Sequence, residues 1–298
     1  MTVPIEHSEK DRRVTRPDKQ WKGEWDIVLA PKHKAHSRWY HQQGRTGDGR
    51  IEMSDANLQG ARVRGLQGAR FERCDFSGAC IHLLDDIEVI DCIFDEAPMS
   101  GSAWERARIT NCRMHGAWLG ATSFEDAVVD GGDWLGAFLE ASAWYRASVR
   151  GVGFRCASFV DSQLDGATFV DCDFRYANFS RRKLTMDAGR CPDTRFISCD
   201  FRGANIEGWR LNNTTFDHCL FNDTMGRPEL EGSCTLIEPD FAVEGSDGVD
   251  YNGTPAIRDP ARVLEVWRSE DRAWINHWSR YGDRVAYEPD KRIPKPSR

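Results

Sequence analysis

Residues 157–179 read ASFVDSQLDGATFVDCDFRYANF, and a ruler of five residues organises the stretch. Phe159, Leu164, Phe169, Phe174 and Phe179 stand on one phase, and Ala157, Ser162, Ala167, Cys172 and Ala177 precede them by two positions. The phase extends without a break from Val89 to Leu184. Shifts of three residues bring in Phe71, Phe76 and Ile81, and before them Leu58 and Val63; a twelve-residue step leads to Phe196 and on to Phe221. All 31 central positions are apolar, and they hold 13 of the 15 phenylalanines. Composition alone would put about one in five there, so the period is structural. Two positions earlier stands a small residue, with Ile87, Val152, Arg182 and Trp209 as the exceptions.

One large and one small side chain of every five thus point inward, and three point to water. That is neither the 3.6-residue period of a helix nor the alternation of an open sheet. Four such units close a squarish coil of twenty residues, and successive coils stack by backbone hydrogen bonds about 4.8 Å apart. A solenoid of this kind buries a core only by repetition and needs covered ends. Trp104, Trp134 and Trp144 take central positions and follow Ser102, Gly132 and Ser142 by two, so each large ring has a small partner in one packed interior.

Ala56-Asn57-Leu58, Ala177-Asn178-Phe179 and Ala204-Asn205-Ile206 meet the A(D/N)LXX consensus, and over about residues 54–224 the chain resembles the pentapeptide-repeat family. The resemblance implies an all-β fold, a right-handed quadrilateral β-helix. It is specific for fold and weakly specific for function. Residues 1–53 form a non-repeat segment that caps or folds back on the solenoid, with the aromatic stretch Trp21 to Tyr40 available as a cover. Residues 225–298 supply a loop and a C-terminal helix, opened by Asp259-Pro260 and stopped near Gly282. Its stripe of Leu264, Trp267, Trp274, Trp278 and Tyr281 suits either a lid on the last coil or a dimer contact, as C-terminal segments provide in some family members. The interruptions near Gly65, near Asp85-Asp86 and at Met186–Asp193 predict short loops at coil corners.

The net charge of −7 over 298 residues disfavours direct nucleic-acid binding. The polar N-terminus and the lack of a long apolar run predict a cytoplasmic protein that does not enter membranes. Six of the ten cysteines, Cys74, Cys92, Cys112, Cys172, Cys199 and Cys219, hold the small inward position, where free thiols are expected rather than disulfides or a metal site. No cofactor is expected, and neither a nucleophile motif, a phosphate loop nor a metal-binding helix motif occurs, so the sequence does not read as an enzyme.

The surface offers columns instead, because positions twenty apart stack. One runs Glu105, Glu125, Tyr145, Asp165, with Arg106, Asp126 and Arg146 alongside. Another runs Pro98, Trp118, Phe138, Ser158, flanked by Ala121, Ala141 and Val160. A protein partner is expected in either case. Resemblance to the family's antibiotic-resistance members implies DNA mimicry toward DNA gyrase or topoisomerase IV, with Glu105, Glu125, Asp126 and Asp165 as contacts. The competing reading is an interaction scaffold that uses Trp118 and Phe138.

Overall fold

The computed structural model describes residues 30–42, 49–182, 189–221 and 224–239, together with Ala261 and Leu264. Parallel strands two to six residues long stack into a right-handed, four-sided β-helix; one wall is a ten-stranded sheet from Glu52–Ser54 to Cys234–Ile237. In the regular part Glu88 pairs with Arg108, Arg108 with Val128, Val128 with Ser148 and Ser148 with Thr168, twenty residues per turn. The backbone links run from each coil to the next, as in Phe154 N–H to Asp173 O at 2.7 Å.

The corners explain why three of every five residues are polar or glycine. The second residue of each corner turn has a left-handed backbone, seen at Arg106, Asp126 and Arg146 on one edge and at Asp91, Asn111 and Asp171 on another. Glycine, Asn and Asp tolerate that region best. Gly132 shows the sharpest need: its φ is 105° and a Cβ there would collide with the Cys112 carbonyl.

Inside, the central side chains stack by column. Trp134, Phe154, Phe174, Phe201 and Phe221 follow one another with ring centroids 5.0–5.4 Å apart. The small residues do more than leave room. Thr122, Ser162 and Thr214 each donate a hydroxyl to the carbonyl of the central residue 23 positions back, at 3.3, 2.7 and 2.8 Å. Cys112 and Cys219 donate their thiols in the same way, to Val89 and Phe196. Cysteine, serine and threonine are therefore interchangeable there because each combines small volume with a donor. All ten cysteines are free, the six inward ones buried. Burial raises the Cys191 thiol, and the hydrogen bond with Cys112 holds Cys92 up at about 12.

Several details depart from the sequence reading. Near Gly65 and Asp85 no loop bulges: the chain goes from Val63 to Leu66 and from Ile81 to Leu84 in three residues, and both leucines are buried central residues. The first two coils are consequently 18 residues long, Glu52 pairing with Arg70 and Arg70 with Glu88. On the later wall Cys191 occupies the central position, stacked on Leu211, and Arg190–Pro192 is a strand instead of part of a loop; Leu184 lies outside the described residues. The solenoid also runs past residue 224. Glu229–Leu230 pairs with Arg210–Leu211, and Cys234–Ile237 pairs with Thr214–Asp217. Cys234 and Leu236 repeat the small–large spacing of Cys219 and Phe221.

Candidate functional site

The acidic column forms as expected. Ala103, Ser123, Ala143 and Gln163 bridge from coil to coil, which brings Glu105, Glu125, Tyr145 and Asp165 into line beside them. Its field is not that of a bare polyanion. Arg106 Nε donates to Asp86 Oδ1 at 2.8 Å and Arg106 Nη1 lies 3.5 Å from Glu105. Arg146 grips Asp126 at 2.8 Å through both Nε and Nη2 and also bonds Glu125. That guanidinium holds the Asp126 carboxyl below the usual carboxylate range. Tyr145 turns its hydroxyl to Gln163. Opposite charges alternate along this edge, so most of their field cancels within about one Debye length.

The opposite wall carries a similar lattice that the sequence reading did not single out. Asp95–Arg113, His115–Asp133, Arg175–Asp173 and Arg202–Asp200 pair at 2.7–2.9 Å. Each such pair is worth little by itself at a surface. Together they present a wall of interleaved sign. The signal was present in the sequence as Asp and Arg at spacings of two and eighteen.

Between these walls lies the apolar column. Pro98, Trp118, Phe138 and Ser158 bridge in order, and Asn178, Asn205 and Met225 continue the row. The Trp118 and Phe138 rings pack at 4.8 Å with their planes 31° apart. Both are half-buried. Val160, expected as an outer flank, is 3% exposed and belongs to the interior of this wall. Beyond the aromatics the strip turns polar, where Ser158 donates to Glu140 and Arg182 pairs with Glu140 at 2.9 Å.

The non-repeat segment does not cover that strip with its described residues. Ala30–His41 forms a helix, α1, which seats where the two short coils lack a corner turn. His33 Nε2 donates to the carbonyls of Arg64 and Gly65 at 2.8 and 2.9 Å, and Tyr40 donates to Asp86 at 3.0 Å. Trp39 and Tyr40 pack so closely on Gly68 that a Cβ there would come within 3.1–3.2 Å of them. Two of the aromatics offered as a cover are thus spent at the first coils; Trp21 and Trp25 lie outside the described residues. At the other end Ala261 and Leu264 are helical, and Leu264 packs against the hydrophobic core. The remaining positions of that stripe lie outside the described residues.

Among the described residues no helix is long and apolar enough to cross a membrane, and no three His, Cys, Asp or Glu cluster as metal ligands. A comparison with curated proteins finds no match. Among solved structures the chain is similar to HetL, a pentapeptide repeat protein involved in heterocyst differentiation regulation from the cyanobacterium Nostoc sp. strain PCC 7120. The two share 17% identity over 66% of this chain and 89% of HetL, with a TM-score of 0.36. It is also similar to a trypsin-treated variant of QnrB1, a plasmid-mediated fluoroquinolone resistance protein, at 16% identity over 59% of this chain and 81% of that one, TM-score 0.31. The family profile described as pentapeptide repeats matches in eight copies, over residues 51–83 and 147–185. Those matched stretches are pentapeptide repeats, in agreement with the five-residue phase, the strand register and the coil.

Proposed function

We propose that this chain is a non-enzymatic protein-binding solenoid whose contact surface is the wall around Trp118 and Phe138. The observation that carries this reading is the stacked pair itself. Two large rings lie on an outward column at 4.8 Å, in a row with Pro98, while neighbouring walls are laced with ion pairs. Aromatic side chains set in a polar rim are what anchors a protein partner: large area, little side-chain entropy to lose, and exclusion of water from the rim contacts. The fitting partner presents an extended segment with apolar side chains, laid along the column. Replacing Trp118 and Phe138 together by Ala should abolish binding of a partner identified by site-specific cross-linking at position 118. Thermal unfolding should change little, because neither ring is in the core. Cross-links from Val128, which is 42% exposed on another wall, should give no such adduct.

A type II topoisomerase is the second candidate partner, favoured by the net charge of −7 and by Glu105, Glu125 and Asp165 sharing one column. Arg106 and Arg146 inside that column work against it, since a surface that substitutes for DNA has to offer charge of one sign. A gyrase supercoiling assay with and without a quinolone separates the readings. Protection lost on changing Glu105, Glu125 and Asp165 together to Lys, and unaffected by loss of Trp118 and Phe138, would replace the scaffold reading with this one.

A further inference from the structure

We propose that the ten-stranded wall, which lies opposite Trp118 and Phe138, is the contact face for a second copy of this chain. One of its outward columns reads Ile90, Thr110, Asp130, Arg150, Val170, Ile197 from coil to coil. That order is self-complementary. About the point between Asp130 and Arg150, acid answers base, Thr answers Val and Ile answers Ile. A two-fold axis through that point, parallel to the strands, sets the columns of two copies face to face with their solenoid axes antiparallel. Asp130 of each copy then meets Arg150 of the other. In the second outward column of the wall the same axis sets Val128 against Ser148 and Glu88 against Arg195.

The charges of this wall are left open where those beside it are tied. The adjoining walls pair their charges within the chain, as in Arg113–Asp95 and Arg146–Asp126. On the ten-stranded wall Arg108, Asp130 and Arg195 are exposed and make no ion pair among the described residues. Arg150 follows Asp130 in the column, yet it pairs at 3.4 Å with Asp171. Val128, in the middle of the strip, is 42% exposed, and Ile90, Val170 and Ile197 are half-buried. Strands stacked in register give a surface suited to packing face to face on another sheet about 10 Å away. The match ends where Glu72 would face Asp217, so the matched strip is roughly 25–30 Å long at the stacking distance. A strip of that length and one wall wide falls among small interfaces, so the association is weak and reversible. Both aromatic strips stay on the outer faces of such a pair, which makes it bivalent toward a partner.

The test is sedimentation velocity of the full chain, from micromolar to several hundred micromolar protein, at low and at high salt. A monomer–dimer equilibrium that weakens as salt rises is the expected result. Asp130→Arg and Arg150→Asp should each weaken it about tenfold or more, because each change breaks two contacts across the two-fold. Both positions are exposed, so thermal melts of the variants should match the unchanged chain. The double variant, with the two charges exchanged, should dimerise again. Replacing Trp118 and Phe138 by Ala should leave the dimer intact, which separates this inference from the reading of the aromatic strip. Cross-links from Val128 should likewise join two copies of this chain and no other protein. A monomer at every concentration, a dimer indifferent to both single reversals, or no recovery in the double variant overturns the proposal.

Discussion

The two coils between Glu52 and Glu88 and the four between Glu88 and Thr168 are built from one repeat and solve different problems. The later coils keep four complete corners, twenty residues to the turn. Each is closed by its own turns and touches only the coils above and below. The early coils drop two residues at one corner, so Leu66 follows Val63 and Leu84 follows Ile81 by three. The shortened corner leaves Leu83 38% exposed and carbonyls at Arg64 and Gly65 that no corner turn engages. There α1 docks, and its His33 donates to both carbonyls. A regular solenoid wall is complete in itself; a wall with a deleted corner becomes a socket for a segment from outside the repeat.

The difference can be tested most severely in the regular coils. Phe154 is fully buried between Trp134 and Phe174, and no neighbouring segment can fill the space it would leave. Phe154→Ala should cost about 3–5 kcal/mol of unfolding free energy in denaturant melts. Unchanged unfolding would mean that the interior there is not close-packed, and the contrast with the socket would lose its basis.

In the socket the expected loss is smaller and local. Gly68 and Gly136 both have left-handed backbones, at φ of 72° and 63°. A Cβ on Gly136 meets nothing within 4 Å, whereas one on Gly68 presses on Trp39 and Tyr40. Alanine should cost about 1 kcal/mol of backbone strain at either site, with an added cost of similar size only at Gly68. Hydrogen exchange should accelerate in α1 for Gly68→Ala while residues 88–169 keep their protection. Equal behaviour of the two variants would show that α1 does not bear on the coil.

Acid should separate the two regions as well. Burial holds His36 down to about 4 from its usual 6.5, with His33 and Arg50 adding repulsion to the charged form. Protonation would also replace the acceptor at Nδ1 with a second donor facing the Ile51 N–H. The unfolded segment takes up the proton first, so the stability of docked α1 is intact above pH 6.5 and falls as pH drops from 6.5 toward 4. Exchange in α1 followed over that window should rise before the regular coils loosen. A flat profile would place His36 in contact with water.

How much of this was legible follows from what each feature depends on. The five-residue phase is a local rule, and Phe71, Phe94, Phe154 and Phe196 each obey it independently, so the core and the stacking order were readable from spacing alone. Leu66 and Leu84 were missed because a deletion of two residues breaks the ruler in the same way as an insertion of three. Only the pairing of Arg70 with Glu52 and with Glu88 distinguishes them. Cys191 falls inside Met186–Asp193, a stretch that breaks the ruler and reads as a corner loop, and only its stacking on Leu211 puts it in the large inner residue's place. The surface columns were found in position, and their chemistry was not. Register places Glu125 and Arg146 near each other; whether the guanidinium turns toward Asp126, Glu125 or water is settled by side-chain geometry that no period encodes.

The finest test lies inside the regular coils, where three tryptophans share one environment but not one hydrogen bond. Trp104 and Trp144 donate their indole N–H to Ser102 and Ser142 at 3.0 and 2.8 Å. Trp134 has Gly132 at the corresponding position, and its buried Nε1 has no partner. Serine is not available there, because any Cβ at 132 would strike the Cys112 carbonyl. Changing each tryptophan to phenylalanine removes nearly the same volume from the same kind of site, so the packing loss is common to all three. At Trp134 the change also removes an unsatisfied donor, which offsets part of that loss. At Trp144 it breaks a satisfied bond instead and leaves the Ser142 hydroxyl with Ser162 alone. Trp144→Phe should therefore destabilise by about 1–2 kcal/mol more than Trp134→Phe, the worth of one buried hydrogen bond. Equal losses would mean that the Trp134 N–H finds an acceptor in solution, and that the two sites differ in sequence without differing in energy.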